Sequence, residues 1–177
     1  MITRKQQILV FLLSAVIIGV TGCIVSGTFV LDIKVTQAEL EQHGNSYFTA
    51  VDLSGNEIWQ EHRDKLDSVD LVGFELWLSN SGTATQFDMY VDPTSDPIYT
   101  RVGQIDSNAT QVLRDLPVPV GKLHVTYGES FKYLVNMNTL TSLAKTGKFH
   151  VYATWTDATS LFLDSVRVVV TISASDT

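Results

Sequence analysis

The chain has 177 residues, 45% of them hydrophobic, with 12 Lys and Arg against 19 Asp and Glu and a formal net charge of −7 at pH 7. An acidic surface of this kind is repelled by nucleic acid and by anionic lipid headgroups, so neither is expected as a partner. One cysteine excludes a disulfide framework, and the length suits a single domain with a substantial core.

The first element is residues 1–23. Arg4 and Lys5 make a basic start, Ile8 to Val20 make an apolar core broken only by Ser14 and Gly19, and Val20-Thr21-Gly22 places small residues before Cys23. The apolar core is shorter than the roughly 20 residues that a membrane-spanning helix needs. The segment resembles the signal peptide and lipobox of bacterial lipoproteins. That resemblance implies cleavage of residues 1–22, diacylglycerol on the Cys23 sulfur, and acyl chains such as palmitate as the only attached non-protein group. It also implies export and a membrane anchor at the bacterial cell envelope. Each buried methylene contributes about 0.8 kcal/mol, so two or three chains hold a protein on a bilayer. In some Gram-negative lipoproteins an aspartate after the lipidated cysteine favours the inner membrane. This chain has Ile24, which favours the outer membrane where the organism has one. Without Arg4 and Lys5 the remainder carries ten bases against nineteen acids, a formal charge of −9.

Residues 23–27 then read as the lipidated cysteine and a short tether, and 28–177 as one domain. Phe29, Leu31, Ile33 and Val35 alternate with Val30, Asp32, Lys34 and Thr36, the period-two pattern of a half-buried strand. Further strands are predicted over Tyr47 to Leu53, Asp70 to Leu78, Gln86 to Val91, Leu123 to Tyr127, Phe149 to Trp155 and Ser165 to Ile172. Asn80-Ser81-Gly82-Thr83 is turn chemistry and suggests that the strands on either side pair with each other. Ser54 with Glu57 resembles a capping box for a short helix over Glu57 to Leu66, in which Trp59 reads as a packing anchor. A second short helix is predicted over Asn138 to Lys145, stopped by Gly147. All four prolines fall between Asp92 and Val120, which predicts loops around one or two edge strands. The expected fold is an antiparallel β-sandwich, immunoglobulin- or fibronectin-like in general architecture, with one or two short helices.

No GxSxG elbow, HExxH or phosphate-binding glycine loop occurs, and the one cysteine is assigned to lipid, so the sequence predicts no enzyme. No cofactor is expected beyond the lipid. Asp92-Pro93-Thr94-Ser95-Asp96 offers Asp92 and Asp96 as the best calcium candidate, but calcium takes six to eight oxygens and this loop supplies too few. Asn108-Ala109-Thr110 matches a glycosylation acceptor and reads instead as a turn. Trp77 lies out of phase with Phe74, Leu76 and Leu78, on the other face of its strand. Trp77, Trp155 and Tyr152 are the candidate ligand-binding aromatics, since exposed Trp and Tyr stack on sugars or anchor interfaces. The function expected is a lipid-anchored envelope module, non-catalytic, serving protein interaction or structure. Its partner would be an envelope protein met through loops such as Asp92 to Thr100 and Thr156 to Leu161. The alternative is an extracytoplasmic carbohydrate or small-ligand binder.

Overall fold

The computed structural model describes residues 26–156 and 160–175, so Val20, Thr21, Gly22 and Cys23 lie outside the described residues. The alternating runs become strands: β1 (Ser26–Thr36), β2 (Glu41–His43), β3 (Ser46–Asp52), β4 (Leu66–Asn80), β5 (Thr85–Pro93), β6 (Thr110–Val118), β7 (Gly121–Val125), β8 (Lys148–Trp155) and β9 (Leu161–Ser175). Four helices join them: α1 (Glu57–His62), α2 (Val102–Asn108), α3 (Tyr127–Ser130) and α4 (Met137–Thr146). All strand pairs are antiparallel. They form a four-stranded sheet in the order β1-β9-β4-β7 and a five-stranded sheet in the order β2-β3-β8-β5-β6.

This is the expected β-sandwich, and its strand order is that of a jelly roll. The first strand pairs with the last, and most connections cross from one sheet to the other instead of forming hairpins. The inner faces bury Leu31, Phe74, Leu76, Leu78, Val168 and Val170 against Phe87, Met89, Val91, Phe149 and Val151.

The turn after Asn80 forms as expected: the Asn80 side chain donates to the Thr83 carbonyl at 2.7 Å and accepts from the Gly82 amide at 2.9 Å. The pairing does not follow it. β5 lies between β8 and β6, while β4 pairs with β9 and β7. A turn joining two stacked sheets requires alternating apolar residues on both sides, as a hairpin does, so periodicity cannot separate the two cases.

Three boundaries also differ. Asn56 caps α1, its side chain accepting from the Trp59 amide at 3.2 Å, whereas Ser54 sits in a preceding 3-10 turn whose amide is bound by Asp52. β7 stops at Val125 because Thr126 and Glu129 form a capping box that starts α3. The proline-rich stretch contains α2, which buries only Ile105 and so has no apolar periodicity to betray it. Asn108 ends that helix, its side chain bonding back to the Gln104 carbonyl at 2.7 Å, instead of lying in a turn. Pro117 sits on β6, an edge strand, where a missing ladder donor is tolerated. Gly147 ends α4 in the left-handed region as the sequence suggests.

Candidate functional site

Two groups of chemistry-bearing side chains emerge from this topology, one on each outer sheet face. Strand register assembles the first on the four-stranded sheet, where Arg167 of β9 stands between Lys34 of β1 and Glu75 of β4. Two residues along, on the same face, Trp77 of β4 stands between Ser165 of β9 and His124 of β7.

These side chains form a ladder across all four strands. Arg167 clamps Asp32 with two donors, one being Nε at 2.5 Å from Oδ1, and its Nη1 donates to Glu75 Oε2 at 2.9 Å. The other Glu75 oxygen is 2.8 Å from His124 Nε2. The His124 ring stacks on Trp77, with centroids 4.7 Å apart and planes 11° from parallel, and Lys34 Nζ stands 5.9 Å from the Trp77 centroid. Beside the ladder lies an open cleft of about 550 Å³ lined by Lys34, Trp77, Lys122, His124, Asp164 and Ser165.

The hydrogen bond from Arg167 holds the Asp32 carboxyl below its ordinary value. Bonds from His124 and then Arg167 do the same for Glu75. A carboxyl depressed in the folded state stabilises the fold above its unfolded pKa, and that contribution disappears as pH falls through the folded value. Arg167→Met should therefore lower the melting temperature at pH 7, with the gap to the parent narrowing as pH drops below about 4. Thermal melts by circular dichroism check this, and a gap that stays constant down to the acid limit would contradict it.

The second group lies on the outer face of the five-stranded sheet. Asp92 of β5 and His150 of β8 are direct cross-strand partners, as are Tyr90 and Tyr152. Phe48, Tyr90, Ile105 and Tyr152 form an apolar cluster roofed by α2 and by Tyr99, and beside it Asp92 is 2% exposed and His150 6%. His150 Nδ1 stands 2.9 Å from Asp92 Oδ1 without the alignment of a hydrogen bond, and Tyr152 donates to Asp92 Oδ2 at 3.3 Å. Burial pushes the Asp92 carboxyl above its ordinary value, with the imidazole pulling the other way.

The structure corrects two of the three candidate aromatics. Trp155 is 2% exposed in the central core, tilted against Tyr47, and Tyr152 is 0% exposed beneath α2, so neither offers a ring face to a ligand. Their strand, β8, is covered on both sides. Asp92, the other carboxylate singled out from the sequence, meets His150 and Tyr152. Of the candidate aromatics Trp77, Trp155 and Tyr152, Trp77 alone stands half-buried on an outer face. No local pattern in the sequence joins Asp92 to His150. The available signal was the apolar run Val151-Tyr152-Ala153 beside His150, which requires cover on both faces of one strand.

No family of known proteins matches the sequence, and no curated protein matches it. Among solved structures the chain is similar to Desmodium yellow mottle tymovirus, at 9% identity over 88% of this chain and 89% of the other, with a TM-score of 0.36. It is likewise similar to turnip yellow mosaic virus, at 12% identity over 88% and 95%, with a TM-score of 0.34. Likenesses this weak carry no functional argument.

Proposed function

We propose that this chain is an exported, lipid-anchored protein of the bacterial cell envelope whose sandwich acts as a non-catalytic protein-interaction or structural module. The observation that carries the reading is the position of Cys23, three residues before Ser26 at the start of β1. Three extended residues reach only about 10 Å, so a lipid on Cys23 would hold the sandwich against the bilayer. Ser26 pairs with Ser175 and Leu66 with Ala174, so the start of β1, the end of β9 and the start of β4 lie together, at the end that a lipid on Cys23 would hold to the bilayer. Asn80 and Leu161 pair at the far end of the same sheet. A partner standing away from the membrane would meet that far end and the charged outer face leading to it.

The segments beginning at Asp92 and at Thr156, the expected contact loops, start at opposite ends of the sandwich. Pro93 pairs with Phe149 at the start of β8, so the chain from Asp92 to Thr100 leaves from the opposite end of β8 to Thr156. Residues 157–159 of the second loop lie outside the described residues.

Cys23→Ala should shift the exported protein from the membrane to the soluble fraction. A variant that is cleaved yet fully membrane-bound would refute the anchor. Crosslinking in intact cells followed by mass spectrometry tests the module itself, for which a reproducible near-stoichiometric envelope protein is the expected product. The second reading, a carbohydrate or small-ligand binder, is favoured by one specific observation, the cleft beside Trp77.

A further inference from the structure

We propose that this cleft binds an acidic sugar, its ring packed on the Lys34 side of Trp77 and its carboxylate held by Lys34 and Lys122. The proposal rests on the ligand-binding reading and names its ligand class.

Three observations converge on that chemistry. The first is the bracing of Trp77. His124 covers one face of its ring, Glu75 fixes His124, Arg167 fixes Glu75, and Asp32 fixes Arg167. A chain of contacts spanning four strands thus sets the ring's orientation, and Lys34 Nζ stands over the same ring at 5.9 Å from its centroid, on a long side chain. Ring atoms in contact lie about 3.5 to 4 Å apart, so a ligand ring displaces the ammonium without disturbing the stack beneath. Ser165, the residue opposite Trp77 on β9, also lines the cleft with a small side chain.

The second is charge. Lys34 and Lys122 both line the cleft, and neither makes an ion pair within 4 Å among the described residues, on a chain that is acidic overall. Two ammonium groups at one cleft, neither in a salt bridge, suit a carboxylate, and the acidic surroundings disfavour a densely charged polyanion. The third is Asp164. One of its oxygens accepts from Ser79 at 2.6 Å, leaving the other to accept from a ligand hydroxyl. An apolar ring face, a carboxylate and hydroxyl donors occur together in a uronic acid. A bare anion makes no use of Trp77, and a neutral sugar makes no use of the lysines.

The test is calorimetric titration of the full lipidated chain in detergent micelles with tri-galacturonate, with neutral galactotriose and citrate as separate titrants. Tri-galacturonate should bind, Lys34→Gln should weaken it by about tenfold, and Trp77→Phe should weaken it while leaving citrate unaffected. The emission of the buried Trp59 and Trp155 confirms that each variant is folded. Equal binding of galactotriose would overturn the requirement for an acid while leaving a sugar-binding function standing. Citrate binding as tightly as tri-galacturonate, with no effect of Trp77→Phe on either, would reduce the cleft to a simple anion site. No binding of tri-galacturonate would overturn the proposal, and no binding of any of the three titrants would overturn the ligand-binding reading of this cleft with it.

Discussion

Replacing His150 by alanine is expected to destabilise the fold by about 3–5 kcal/mol at neutral pH, because it leaves the Asp92 carboxylate buried without its partner. Asp92 is 2% exposed, and its remaining contact is the Tyr152 hydroxyl at 3.3 Å, too little to replace water around a full charge. The reciprocal change, Asp92→Ala, should cost less, about 1–3 kcal/mol, since an imidazole can be buried neutral while a carboxylate must take up a proton to do so. The asymmetry has a pH signature. In the His150→Ala protein the buried carboxyl holds its proton more tightly than in the unfolded chain, so between the two pKa values the folded state binds more protons. Stability then rises as pH falls through the folded pKa, and the deficit against the parent shrinks in acid. Urea denaturation at a series of pH values measures both effects. A His150→Ala cost below about 1 kcal/mol that does not vary with pH would show that the pair bears no charge on the fold.

That pair also marks the limit of what the sequence discloses. Alternation locates strands well when one face is wet and the other dry, as in β9, where Val166, Val168, Val170 and Ile172 all point inward. It also places Trp77 on the outer face, because Glu75 and Ser79 keep that face polar. The rule loses its meaning on β8, where burial is continuous from Phe149 to Trp155. There, outward-facing Tyr152 is covered by Ile105 of α2 and His150 packs against Phe48 and Asp92, all distant in the chain, and nothing local announces the cover. Pairing is similarly hidden. Asp32, Arg167, Glu75 and His124 form one ladder, yet their sequence separations range from 49 to 135 residues, and only the jelly-roll order of the sheet brings them into line. The candidate site was therefore legible one residue at a time, and its partners were legible only from the strand order.

The second large effect is expected at Gly147, where two independent costs meet. Its φ of +78° lies in the left-handed region, which disfavours any residue with a Cβ, and a β-branched side chain pays about 1–3 kcal/mol there. A Cβ at this position would also stand 2.7 Å from Cζ2 of Trp59 and 2.8 Å from its Cε2, closer than carbon atoms approach. Trp59 cannot simply step aside, because it is the buried residue of α1, 5% exposed, and Leu53 just before that helix donates its amide to the Gly147 carbonyl at 2.8 Å. Gly147→Val should consequently cost about 3–5 kcal/mol, strain and lost packing together. Gly44 supplies the control, since its φ is +60° and nothing lies within 4 Å of a Cβ built there. Gly44→Ala should cost about 1 kcal/mol, the conformational part alone. Combining Gly147→Val with Trp59→Ala separates the two contributions: with the indole gone the valine should cost only its backbone strain, giving a favourable coupling of about 1–3 kcal/mol in a double-mutant cycle. If Gly147→Ala proved no worse than Gly44→Ala, and the cycle showed no coupling, the seating of Trp59 on Gly147 would not be what fastens α1 to the end of α4.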